Sequence, residues 1–270
     1  MVIRHVWTVP VIAVGLLLTG MFSGYIIGAV TKHFPVLLPF ISNGGSFPPE
    51  GCIFAQFLNM ASFFGVLTCY IRHRQTVEYY GHRLHWEETA WRWVSLVFMY
   101  IGILGVVGLT VVANFPDSES PRVHFIGAAT TFISLLVYGW GQTIIGYAMV
   151  PRMASMSVNH MRLLIMVIAT VSFALYEMAM FFKVFLPKGA GKPPGGWRGI
   201  KWFTKESPFY LTYMIATSAE WAMVLALEMF VLSFVAELRH AYAHAPRVIF
   251  KRSSSDSSSL GTNSRTTTRS

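Results

Sequence analysis

Charge is scarce in this sequence. Its 270 residues include only 21 Lys and Arg and 12 Asp and Glu, about half the roughly 25% charged residues of soluble domains. With 54% of the residues hydrophobic, a water-soluble fold would lack the polar atoms to cover itself, which excludes most soluble enzyme classes. Cysteine is nearly absent too. Cys52 and Cys69 lie at opposite ends of one apolar block, about 25 Å apart along a helix, too far to bridge each other, so no disulfide framework is expected. No Asn-x-Ser/Thr sequon occurs, so N-glycosylation is not expected. G-x-S-x-G, P-loop and H-E-x-x-H motifs are missing as well, which removes the familiar hydrolase, nucleotide and zincin signatures. His82 with His85, and His240 with His244, could each supply two corners of a metal site, but no third ligand stands beside either pair; no metal or cofactor is expected. The net charge of +9 does not indicate nucleic acid, because the basic residues fall between apolar blocks and in the tail, where such residues meet lipid headgroups.

What remains is long apolar runs. Six blocks, at about 7–31, 53–71, 93–113, 123–148, 161–186 and 209–235, reach or approach the ~20 residues that cross a bilayer as a helix. The first is too long for the h-region of a removable signal peptide. The expected fold is therefore all-α: a six-transmembrane-helix bundle over residues 1–242, followed by a disordered basic, Ser/Thr-rich tail over 243–270. Six spans put both termini on one side. Cytosolic termini place about 13 basic residues inside against about 8 outside, in line with the positive-inside rule. The fifth loop, with Lys188, Lys192, Arg198, Lys201 and Lys205, runs against it.

Small and acidic residues inside the spans call for explanation. Gly20, Gly24 and Gly28 recur every fourth residue, and Gly102, Gly105 and Gly108 every third; such spacing lets helix backbones approach, within one bundle or across a dimer face. Glu177, Glu220 and Glu228 would lie at membrane depth, where a carboxylate is costly enough to suggest function. Either Glu177 and Glu220 form a protonatable pair on a proton or cation path, or these acids fix packing through hydrogen bonds. No arginine or lysine at membrane depth stands ready to pair with them. His124 opens the fourth span and could act on a lipid headgroup or cap a helix. In the fifth loop Trp197, Arg198, Lys201, Trp202 and Phe203 mix aromatic and basic side chains, a pattern suited to docking on membrane lipids. In the tail, Arg247, Lys251 and Arg252 could hold anionic lipid until phosphorylation of nearby serines releases them.

The first extracytosolic loop is more specific. It reads Pro39-Phe40-Ile41-Ser42-Asn43-Gly44-Gly45-Ser46-Phe47-Pro48-Pro49-Glu50. Ser42 to Gly45 suggests a tight turn, and Pro48-Pro49 a rigid extended step into the second span. Glu50 is placed to complement the dipole of that helix. This block resembles the signature of the damage-regulated autophagy modulator (DRAM) family, P-x-I-S-D-T-G-x-x-P-P-E. The resemblance continues at Leu58-Asn59, Val112-Ala113-Asn114-Phe115, Val123-His124, Gly127-Ala128 and Glu220-Trp221. It departs at Asn43 and Gly44, which replace Asp and Thr, and at Pro116, which replaces Gln. If that Asp has a chemical role in any relative, it has none here.

The resemblance implies a non-enzymatic multi-pass regulator of autophagy, lysosomal or endosomal in location, linking stress to cell death, with a cytosolic protein partner bound through loop 72–92 and the tail. It also implies alternatives: a plasma-membrane scaffold for a phosphatidylinositol kinase complex, or a GPI-lipid-remodelling factor. The intramembrane acids add a transporter component to these.

Overall fold

The computed structural model describes residues 2–35, 37–83, 90–193 and 203–244. Six helices are long and apolar enough to cross a membrane: α1 (Thr8–Val30), α2 (Glu50–Thr76), α3 (Ala90–Asn114), α4 (Pro121–Ala148), α5 (Met156–Met180) and α6 (Tyr210–Leu232). A wider-wound turn, Val77–Arg83, continues α2, and a short α7 (Val235–Leu238) follows α6. The remaining regular structure among the described residues is a 3-10 segment, Ile41–Gly45, and a two-residue antiparallel pairing of β1 (Val2–Ile3) with β2 (Ala243–His244). That pairing holds the start of the chain against the end of the bundle, on what is here called the terminal face. The opposite, loop face carries the α1–α2, α3–α4 and α5–α6 connections.

Between 28% and 50% of each span is buried inside the bundle. The outward surface is also apolar, with Phe22, Phe63, Trp93, Tyr100, Ile126 and Leu164 all exposed. Helices that are apolar all round, with their backbone hydrogen bonds satisfied internally, belong in lipid.

Each helix packs on its neighbour in sequence, from α1 to α6, and α6 returns to touch α1 and α4. The glycines sit where these contacts are tightest. A Cβ on Gly24 would come 3.1 Å from the Gly44 backbone, and one on Gly108 would come 2.8 Å from the Gly127 carbonyl. Gly20 faces Leu58 of α2, Gly28 faces Phe34, and Gly102 and Gly105 face Tyr138 and Leu135 of α4. All six glycines thus press against other parts of the same chain.

Two helices run further toward the terminal face than their apolar blocks. The span read at 161–186 is the helix Met156–Met180: Ser155 caps its start by accepting a hydrogen bond from the Val158 amide, and it ends as Phe181 and Phe182 both donate to the Glu177 carbonyl. Lys183 then adopts a left-handed φ of 54°. The block at 53–71 is the helix from Glu50 to Thr76. Reading hydropathy alone trims a helix at its first charge. Arg72 and Arg162, which the basic-residue count assigns to the cytosolic side, are helical and fully buried. The entry to α2 also differs: residues 48–49 form a turn and Pro49 already has helical dihedrals, so this step is not an extended one.

Candidate functional site

On the loop face, the 3-10 segment tucks under the end of the bundle, with Asn43 and Gly44 buried. Two consecutive residues of α6 hold it. Glu220 Oε2 accepts from the Ile41 amide at 2.9 Å, and Trp221 Nε1 donates to the Pro39 carbonyl at 2.9 Å. Neighbouring helix residues diverge by 100°, so the pair straddles the loop. Phe40 packs edge-on against Tyr213, 5.4 Å between ring centres. Glu50, fully buried at the start of α2, accepts from His33 Nδ1. It thus does more than complement a helix dipole: it ties the end of α1 to the start of α2.

The other signature residues brace the same face. Asn59 and Asn114 exchange hydrogen bonds at 3.0 Å in both directions, joining α2 to α3. His124 Nδ1 donates to the Phe115 carbonyl at 2.8 Å and fixes the α3–α4 turn. Ser118 donates to the Ser46 carbonyl, linking that turn to the first loop. Ser42 and Ala128 line the interior, and Gly127 lies under Val111 and Val112. Glu177 makes no hydrogen bond with Glu220, whose Oε2 is taken by the loop backbone. Of the aromatic and basic set in the fifth loop, Trp197, Arg198, Lys201 and Trp202 lie outside the described residues. Phe203 packs on Phe209 and Tyr213, with centroids 5.7 and 5.5 Å away, so the end of the fifth loop meets the first loop across Tyr213. The tail beyond His244 and most of the loop between α2 and α3 are likewise outside the described residues.

The terminal face is closed by a group that sequence reading missed. Glu237 on α7 binds two arginines: Arg72 of α2 through Nη1 at 3.1 Å, and Arg162 of α5 through both terminal nitrogens, one of them at 3.0 Å. Arg162 Nε also donates to Ser233 Oγ at 2.8 Å, and Arg72 reaches Gln142 at 3.1 Å and Gln75 at 2.8 Å. Both guanidinium carbons lie over the Phe234 ring, 4.9 and 5.2 Å from its centre, in cation–π range. Membrane-depth arginines do exist here, but they pair with Glu237 and not with Glu177, Glu220 or Glu228. Glu237 falls just past the apolar block that ends near residue 235. The signal available was depth: Arg72, Arg162 and Glu237 all lie within a turn or two of the terminal ends of their apolar blocks.

Between these two closures runs a cavity of about 130 Å³, walled by α1, α2, α3, α4 and α6. Ser42, His124 and Glu220 stand at its loop end, Cys69, Tyr138 and Phe234 at the other, and Leu17, Leu58, Val106, Leu135 and Leu227 between them. Its lining on α6 runs from Glu220 to Val231, about 16 Å along that helix.

Fold and site together define a multi-pass membrane protein whose signature residues tie its helix ends and loops around an apolar interior. Comparison with known sequences gives the class its name. The chain belongs to the Frag1/DRAM/Sfk1/Cwh43P family, whose N-terminal domain model matches residues 5–241. It is 31% identical to DNA damage-regulated autophagy modulator protein 2 of Mus musculus over 224 residues, 82% of this chain and 79% of that protein. It is 27% identical to protein 1 of that name from Homo sapiens over 239 residues, covering 88% and 92%. A third relative, the modulator of macroautophagy TMEM150B of Xenopus tropicalis, is 31% identical over 54% of this chain and 59% of its own length. These relatives are named as modulators and not as enzymes. No solved structure matches.

Proposed function

We propose that this protein is a non-enzymatic regulator of autophagy in the lysosomal or endosomal membrane, acting through a cytosolic partner bound by loop 72–92 and the tail. The observation that carries the reading is family membership over residues 5–241, with relatives named as autophagy modulators. The geometry supports it. His124, Glu50, Asn59 and Glu220, the polar residues of the signature, all hydrogen-bond within the protein, so the signature maintains a shape. The terminal face has a buried ion-paired base in the Arg72–Glu237–Arg162 group. With cytosolic termini, as the basic-residue count indicates, that is the surface a cytosolic partner meets.

The test is removal of the gene product combined with location of a tagged copy at native expression. Lysosomal location with altered autophagic flux is the expected result. Exclusively cell-surface location with unchanged flux refutes it and favours the phosphoinositide-kinase scaffold.

A further inference from the structure

Most polar groups around the cavity are either sealed or engaged. Ser62 Oγ and Tyr138 Oη lack hydrogen-bond partners but are shut in by surrounding atoms. Ser62 does not return its hydroxyl to its own helix, as Thr68 does to Phe64 at 2.8 Å and Thr131 to Gly127 at 2.9 Å. Glu220 is held by the Ile41 amide, and His124 by the Phe115 carbonyl. Glu228 of α6 differs from all of these. It borders the cavity, keeps accessible surface, and has no hydrogen-bond or ion-pair partner among the described residues. Val224 and Val231, a turn to either side of it, line the same space. No Lys or Arg lines the cavity among the described residues, and Arg72 and Arg162 are engaged by Glu237, Gln142 and Ser233. An isolated charge in such a wall is costly, so without a ligand the carboxyl group is stable only as the uncharged acid, a lone O–H donor facing an apolar space.

The size of the space limits the ligand. An apolar cavity of about 150 Å³ takes up a molecule the size of benzene, and this one has about 130 Å³, room for about six or seven non-hydrogen atoms on that scale. Leu17, Leu58, Val106, Leu109 and Leu227 call for a hydrocarbon body, and Glu228 for one polar end. A neutral amine answers the acid best. The carboxyl O–H breaks as an N–H forms, which leaves an ion pair and brings no net charge into the membrane, and such charge-assisted hydrogen bonds are about twice as strong as neutral ones. The bilayer supplies a route for the neutral form, since α1 and α6, which both line the cavity, make the lightest contact between neighbours around the bundle. We propose that the cavity binds one small hydrophobic amine, about the size of cyclohexylamine, with its ammonium on the Glu228 carboxylate and its hydrocarbon body among the leucines. The site is independent of the autophagy reading, and either can fail without the other.

The test uses the full chain in phosphatidylcholine nanodiscs, with empty nanodiscs to subtract partition into lipid. Cyclohexylamine, cyclohexanol and methylcyclohexane share one skeleton and differ only at the polar end. Equilibrium dialysis of radiolabelled cyclohexylamine should show one saturable site per chain, and unlabelled cyclohexanol or methylcyclohexane should compete roughly tenfold more weakly than the unlabelled amine, the factor a charge-assisted hydrogen bond supplies. On binding, the infrared difference spectrum should lose a carboxylic-acid carbonyl band and gain carboxylate bands. Glu228→Gln should remove both changes and weaken binding about tenfold. The proposal is overturned by absence of saturable binding, by equal competition from the three compounds, or by native affinity and bands in Glu228→Gln. If that variant cannot be recovered folded, the competition series and the infrared bands of the unaltered chain decide, together with Ala61→Phe, which places a ring in the cavity wall and should abolish saturable binding; binding retained there overturns the site.

Discussion

Replacing Glu237 with glutamine probes the terminal closure most directly. In the native protein one carboxylate offsets two guanidinium groups that both lie within about 5 Å of the Phe234 ring centre. Glutamine preserves the volume but leaves two like charges buried without their counterion. Removing one partner of a buried ion pair costs roughly 3–5 kcal/mol, and here two arginines lose the same partner, so the upper end of that range applies. At about 2–4 °C per kcal/mol for chains of 150–250 residues, the midpoint of thermal unfolding in detergent should fall by roughly 10 °C or more. The arginines should also compensate one another. On the Glu237→Gln background, Arg162→Gln removes one of the stranded charges and should recover part of the loss, whereas in the native protein Arg162→Gln should be destabilising by itself. A midpoint within 2 °C of native for Glu237→Gln, or strictly additive effects in the double variant, would refute the view that this group works as one unit.

The remaining predictions concern the loop face and the helix contacts. Glu220→Gln keeps an oxygen for the Ile41 amide and should cost less than about 1 kcal/mol, while Glu220→Leu strands that amide and should cost about 1–3 kcal/mol; amide exchange at Ile41 reads the difference directly. If Glu220 instead serves a conduction path, the glutamine variant will alter an ion flux while its stability stays native. Gly24→Val drives a side chain into the Gly44 backbone and should destabilise by at least 1–3 kcal/mol. Gly15→Ala, whose added Cβ meets nothing within 4 Å, should be neutral or stabilising by up to about 1 kcal/mol; the two midpoints measured side by side check the pair. Asn59→Leu breaks both bonds to Asn114 and should cost about 0.6–2 kcal/mol, with increased proteolysis of the α3–α4 turn as a local readout.

The number of helices could be read from apolar runs because lipid imposes a length and a composition that no soluble helix must meet. Their ends were less legible. The terminal ends of α2 and α5 carry Arg72 and Arg162, which hydropathy assigns to water, and only the fold shows that Glu237 receives them. The signature residues were visible as a pattern, but their partners were not: Glu220 bonds a backbone 179 positions away, and neither periodicity nor spacing encodes such a contact. Ser62 was invisible for the opposite reason. A lone serine in a span is ordinary until its hydroxyl is seen to lack the carbonyl it would normally take.

The helices adjoin one another in chain order, and the pairing of Val2–Ile3 with Ala243–His244 brings the two ends of the described chain together. The architecture is thus indifferent to where the chain is cut on the terminal face. A circular permutant that joins residue 244 to residue 2 through a short linker, with new ends opened between residues 83 and 90, would begin at α3 and insert every helix in its original direction. It would also reverse the order of synthesis, so that α5 and α6 precede α1. In such a molecule assembly could be followed with the ring's last contact becoming one of its first.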